Sequence, residues 1–262
     1  MTGIKEQMLE VIQRRIDAHP RSQQKRIGPS EIGATCSRRL GYKLAGVEPV
    51  RDTSGWLPTI GTAVHTFVES ALHAENARLG RDRFIIERYV ELPQMRPMRL
   101  RGRLDCYDTD TDSVIDWKIV GKTTLDEARR GRIKAEYAVQ IQTYAMGIRE
   151  QGFEPKACVI AFLPRNEIKL DKAVFHVEPF NEAIAGAAMD RVMSIQTAID
   201  VLGVDALPRL PITDDPKDCN YCPFFRPTSQ DATTACPGVV DVTDVQALLS
   251  GPANPSPKKK AS

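Results

Sequence analysis

Apolar residues recur along this chain with two different periods, and the switch between them lays out its elements. Ile4, Met8, Val11, Ile12 and Ile16 fall three or four apart, which predicts a helix over 4–18, followed by a polar, basic stretch from His19 to Arg26. Ser30 is a candidate cap for a second helix through Cys36, Arg38, Arg39 and Tyr42, ended by Gly46. Pro58 opens a third, in which Ile60, Val64, Phe67 and Ala71 keep helical spacing until Gly80 closes it. The period then shortens to two. Runs at 84–91, 98–107 and 113–120 read as strands, with the turn-rich DTDTD between the last two. A helix over 135–150 ends at Gly152, strands are expected at 157–163 and 172–178, and a long helix over 181–202 completes the core. This order of elements implies an α/β fold, a mixed central sheet flanked by helices. No internal repeat is visible. The expected organisation is a basic helix and linker over 1–27, a core over 28–238 that includes all six cysteines, and a tail over 239–262. The Pro-rich, basic GPANPSPKKKAS and the serine before it, 250–262, are expected to be disordered.

A chain of 262 residues that is 42% hydrophobic can bury a full core. It has no run approaching the roughly 20 apolar residues of a membrane span, and MTGIKEQMLE lacks the apolar segment of a secretory signal, so a cytoplasmic protein with no membrane association is expected. The net charge of +2, from 36 basic and 34 acidic residues, does not by itself mark a nucleic-acid binder. Distribution says more. Residues 1–51 hold ten Lys or Arg against five Asp or Glu, and Arg96, Arg99, Arg101 and Arg103 crowd one short segment. Either cluster suits a phosphate-contacting surface or an ordinary solvated face.

Six cysteines in such a compartment do not suggest a disulfide framework. Cys106 and Cys158 lie in apolar alternating runs and read as core. Cys36, Cys219, Cys222 and Cys236 remain. Cys219 and Cys222 form a C-x2-C pair whose spacing suits zinc as well as an iron-sulfur cluster, and Cys36 would tie them to the other end of the chain.

The acid-base chemistry is concentrated in the second and third strands. In LRGRLDCYD, period two places Arg101, Arg103 and Asp105 on one face and Leu100, Gly102, Leu104 and Cys106 on the other. In SVIDWKIV, Asp116 and Lys118 share a face, with Ile115, Trp117 and Ile119 packing behind. Ten residues separate Asp105 from Asp116, enough for an antiparallel hairpin that brings both carboxylates to one point. Two hard oxygen ligands form half of a Mg2+ or Mn2+ site, and Lys118 beside them is placed to orient or deprotonate a water. A surface Asp/Lys pair on an edge strand would look the same. His65 stands one step off the apolar stripe of its helix, with Glu69 one turn later. Gln140 and Tyr144 stand four apart on one helical face, beside the stripe of Tyr137, Ile141, Ala145 and Ile148. Each of these alone also fits an ordinary, partly buried side chain.

In this order, GTAVHTFVE, GRLDCY, VIDWK and QIQTY resemble the successive motifs of the RecB-type branch of PD-(D/E)xK nucleases, whose core is restriction-endonuclease-like. GPSEIGATCSRRLGY and DCNYCPFF are similar to the cysteine-bearing segments of its iron-sulfur members, among them the CRISPR-associated exonucleases and their phage-encoded relatives. The resemblance covers about residues 28–237. It implies that His65, Asp105, Asp116 and the Trp117 carbonyl hold the metal, that Lys118 activates water, and that Gln140 and Tyr144 position the phosphate or the lysine. It also implies a 4Fe-4S cluster on Cys36, Cys219, Cys222 and Cys236, with structural Zn2+ as the alternative. Arg38, Arg39, Arg101 and Arg103 are the candidate DNA contacts.

Two departures stand out: the third-motif acid is Asp116 rather than the commoner Glu, and thirteen residues separate Cys222 from Cys236. The expected activity is exonucleolytic hydrolysis of single-stranded DNA in recombination, repair or phage DNA metabolism, with a helicase or recombinase as a possible partner. A catalytically silent DNA-binding or assembly module, or a nuclease that processes CRISPR spacers, is the alternative. No helicase phosphate loop is present in the sequence.

Overall fold

The computed structural model describes residues 3–18, 26–51, 55–92, 95, 98 and 100–239. Helices α1 (Ile4–Asp17), α2 (Ser37–Leu44) and α3 (Trp56–Leu79) precede strands β1 (Phe84–Leu92), β2 (Leu100–Asp108) and β3 (Ser113–Val120). Helices α4 (Lys122–Arg129) and α5 (Ala135–Arg149) lead to β4 (Ala157–Pro164), β5 (Val174–Pro179) and α6 (Glu182–Leu202). Two short 3-10 segments, Gly203–Arg209 and Pro216–Tyr221, follow.

The five strands form one mixed sheet in chain order. β1, β2 and β3 are antiparallel neighbours, β4 runs parallel to β3, and β5 returns antiparallel. The parallel pair requires a long crossover, and α4 and α5 supply it. α5 is buried on nearly every side from Gln140 to Ile148 because it separates two apolar clusters. Ile141, Tyr144, Ala145 and Ile148 pack on the sheet beside Val114, Ile160 and Phe162. Met146 belongs to a second cluster with Ile32, Leu40 and residues Ala185 to Ile195 of α6. Contact with β1 is close enough to demand glycine: a Cβ on Gly147 would come within 2.7 Å of Val90.

The expected strands and long helices are present, and Cys106 and Cys158 are fully buried as anticipated. Three readings are corrected. Ser30 lies in a turn and Cys36 caps α2 instead, accepting the Arg39 N–H at its sulfur, because the Arg38 N–H is committed to the Pro211 carbonyl. Helix α4 had not been anticipated, since only Leu125 and Ala128 are buried in it and two positions set no period. On β3 it is Val114, Asp116 and Val120 that are buried, while Ile115, Trp117 and Ile119 are only half-buried, because α5 covers the Asp116 side. Residues 19–25 of the expected linker at 19–26, and the tail at 250–262, lie outside the described residues. Among the described residues, no helix is long and apolar enough to cross a membrane.

Candidate active site

The site forms where the regular alternation of β1 and β2 breaks. Ile85, Val90, Leu104 and Tyr107 all pack in the same sheet cluster. Ile85 and Val90 are five residues apart and Leu104 and Tyr107 three, odd separations that a regular strand sends to opposite faces. The change of phase falls at Glu87, whose φ of 51° lies in the left-handed region. Pairs Ile86 with Cys106 and Arg88 with Leu104 flank it, so the register sets Glu87 opposite Asp105.

On its other side β2 parts from β3. The two strands pair only from Asp108↔Ser113 to Cys106↔Ile115. At the next position the Asp105 carboxylate takes the place of a backbone acceptor, with Oδ2 accepting the Trp117 N–H at 2.9 Å. His65 arrives from α3. Asn76 clips the end of that helix to β1 with a reciprocal pair of bonds to Phe84, at 2.8 and 2.9 Å. His65 lies roughly 16 Å back along the same helix, and its Nδ1 is 3.4 Å from Asp105 Oδ2. Ligand atoms of His65, Glu87 and Asp105 all lie within 4.8 Å of one another.

Asp116 is 2% exposed. Its Oδ1 accepts from Gln140 Nε2 at 2.9 Å, and Gln140 Oε1 accepts from Lys118 Nζ at 2.7 Å, so one buried amide links the two motif residues. Asp116 Oδ2 is 2.7 Å from Lys118 Nζ, an ion pair at contact distance. Burial pushes the Asp116 carboxyl above its usual range, and the Asp105 charge adds to that against Lys118 and His65. Glu87 is likewise raised by burial, opposed by Arg103. Lys118 Nζ also lies 4.9 Å from the centre of the Tyr137 ring.

Of the sequence candidates, His65, Asp105, Asp116, Lys118 and Gln140 converge here. Tyr144 packs in the core one turn beyond Gln140, against Gly102. Trp117 contributes its N–H to Asp105. Arg101 and Arg103 are exposed on β2, with Arg103 ion-paired to Glu87. Arg38 instead donates to the Pro208 carbonyl at 2.7 Å, and Arg39 lines a separate cavity. Glu87 had not been anticipated, because no motif spacing marks it and only the register of β1 on β2 brings it to Asp105.

That separate cavity is lined by all four remaining cysteines, Cys36, Cys219, Cys222 and Cys236, together with Tyr42 and Phe225. None of the four is in a disulfide. Burial raises the Cys219 and Cys222 thiols above their usual range. Among the described residues no three of these sulfurs lie within 4.8 Å of one another.

An imidazole, three carboxylates and a lysine are thus gathered at a split in a mixed sheet, a set rich in hard oxygen atoms. The model of the PD-(D/E)XK nuclease superfamily matches residues 66–226, well over half of the chain, and the protein belongs to that superfamily. Among solved structures, the chain is similar to SSO0001, with 18% identity over 85% of this chain and 95% of that one and a TM-score of 0.48. It is also similar to an alkaline exonuclease, LHK-Exo from Laribacter hongkongensis, with 14% identity over 71% and 92% and a TM-score of 0.47. No curated protein matches the chain.

Proposed function

We propose that this protein is a Mg2+- or Mn2+-dependent deoxyribonuclease that shortens single-stranded DNA from a free end, leaving a 5' phosphate and a 3' hydroxyl. The observation that carries this reading is the gathering of His65, Asp105, Asp116, Lys118 and Gln140 at the split between β2 and β3. The donor set fits a hard divalent cation. One imidazole and the carboxylates of Asp105 and Glu87 converge, all hard N or O donors of the kind such a cation takes. His65, Asp105 and Asp116 would hold the metal, with Glu87 added to that set and the Trp117 carbonyl as a further oxygen. When bound, such a cation polarises a phosphate oxygen and lowers the pKa of water. Gln140 fixes the Lys118 ammonium beside Asp116, where it can orient the attacking water and offset charge on the phosphate.

Cys36, Cys219, Cys222 and Cys236 are assigned to a 4Fe-4S cluster. Supporting this, all four line one cavity, and Cys219 and Cys222 keep the C-x2-C spacing such a cluster uses. The candidate contacts are arginines suited to the phosphate backbone, which positions a strand without reading its sequence. The test compares a linear oligonucleotide with a circularised copy at matched salt and Mn2+. Progressive shortening of the linear strand alone is expected; equal cleavage of the circle would show an endonuclease, and no cleavage of either would overturn the nuclease reading.

A further inference from the structure

Beyond Asp105 the β1–β2 hairpin carries a row of side chains in unbroken contact. Tyr89 sits opposite Arg103, and Glu91 opposite Arg101. The intervening Val90 and Gly102 face α5, Val90 against Gly147 and Gly102 against Tyr144. Alternation therefore turns Tyr89 and Arg103 to the other side of the sheet. Arg103 is ion-paired with Glu87, and its guanidinium lies 5.9 Å from the centre of the Tyr89 ring. The row thus runs from His65 and Asp105 through Glu87 and Arg103 to Tyr89. Its outer end is open: Tyr89 is 68% exposed, Arg101 and Arg103 are exposed, and β1 is an edge strand of the sheet.

We propose that Tyr89 is a stacking platform for a base of single-stranded DNA at the mouth of the candidate active site, with Arg103 holding the adjoining phosphate. The proposal deepens the nuclease reading and rests on it. An exposed aromatic face beside a cation offers the two contacts that hold single strands without reading sequence, a π-face for the base and a charge for the backbone. A duplex keeps its bases stacked inside and has no free face to give. Tyr89 would in this way favour a single strand over a duplex at a site whose own donors touch only phosphate. The hairpin edge is also continuous with the site: Arg103 touches both Tyr89 and Glu87, so a strand lying on the ring is led toward His65 and Asp105.

The test uses the full-length protein and two fluorescein-labelled, phosphorothioate-linked probes that resist cleavage. One is an oligothymidylate and the other the same backbone carrying abasic sites. Tyr89→Ala should weaken oligothymidylate binding by about tenfold or more, the effect of removing one stacked aromatic, and leave the abasic probe unchanged. Tyr89→Phe should bind both as the parent does. Arg103→Gln should weaken both probes alike and flatten their salt dependence. Unchanged oligothymidylate affinity in Tyr89→Ala, or equal loss on both probes, overturns the platform. Cleavage of unmodified linear strand by the parent protein is scored separately, so a failure of the nuclease reading is distinguishable from a failure of the platform.

Discussion

The carboxylate site draws its residues from β1, β2, β3 and two helices within positions 65–140, whereas the cysteine cavity joins Cys36 to Cys219, Cys222 and Cys236 across 182 intervening residues. The first is held by the protein itself. Trp117 N–H fixes Asp105, and Gln140 fixes Asp116 and Lys118 through bonds of 2.7 to 2.9 Å. The second rests on short segments. A 3-10 segment, an isolated bridge between Phe225 and Cys236, the stacking of Tyr42 on Phe224 at 5.0 Å, and bonds from the Arg38 N–H to the Pro211 carbonyl and from the Thr35 hydroxyl to Asp218 help bring its thiols together. A cluster whose ligands are fixed by regular structure can lose its metal and stay folded. A cluster whose ligands come from distant, weakly structured segments draws its own structure from what it binds.

The sharpest break in this comparison is expected from the motif residues. Asp116→Asn or Lys118→Ala should lower cleavage of an end-labelled strand by at least about a hundredfold, the scale of losing a positioned acid-base or electrostatic group. The melting temperature of Asp116→Asn should change less than that of the cysteine variants, since relief of a buried charge offsets the lost Lys118 ion pair and the amide oxygen still accepts from Gln140. A variant that cuts at the parental rate would remove these residues from the mechanism.

The cysteine region should answer the other way, in stability. Anaerobically purified protein is expected to absorb near 400 nm, and Cys219→Ala or Cys36→Ala to lose that band. Opening so long a loop forfeits about 3–5 kcal/mol, a fall in melting temperature on the order of 10 °C. Removal of divalent cations alone should abolish cleavage with no such fall. Cysteine variants that melt with the parent would erase the distinction between the two sites.

A smaller effect is expected at the hairpin tip that holds β1, β2 and β3 in register. Asp108 accepts two bonds from Arg83 at 2.8 Å, with the Asp110 N–H and the Thr111 hydroxyl each at 3.0 Å, and Arg83 first among these holds its carboxyl below the usual range. Asp108→Asn should cost about 1–3 kcal/mol, read by denaturant unfolding. Because the folded pKa is depressed, this stability is complete above the unfolded value of about 4 and is lost as pH falls through the folded value. The deficit of the variant should therefore shrink on acidification; a deficit that is constant down to acid pH would show that packing, not charge, is lost.

Much of this architecture was legible before any coordinates. Long segments such as Ala135–Arg149 and Glu182–Leu202 match their sequence readings to within a residue or two, since apolar positions repeated at helical spacing state the element, although α5 is buried on its polar side as well. Short or doubly covered segments were harder. α4 buries too few residues to show a period, and the face of β3 that reads as polar is the buried one, because Asp116 and Lys118 are satisfied by Gln140 from a helix passing overhead.

The sequence by itself determined the order of the strands and of every helix but α4, and it singled out His65, Asp105, Asp116, Lys118 and Gln140 as candidates, because residue type and local spacing are properties of the chain alone. Only the tertiary structure decided that Glu87 stands opposite Asp105, that Asp105 takes the Trp117 N–H where β2 leaves β3, and that Arg38 and Arg39 belong with the cysteines. The physical reason is that strand register, and the point at which it breaks, are settled by packing among distant segments, and a shift of one residue there sends every following side chain to the opposite face.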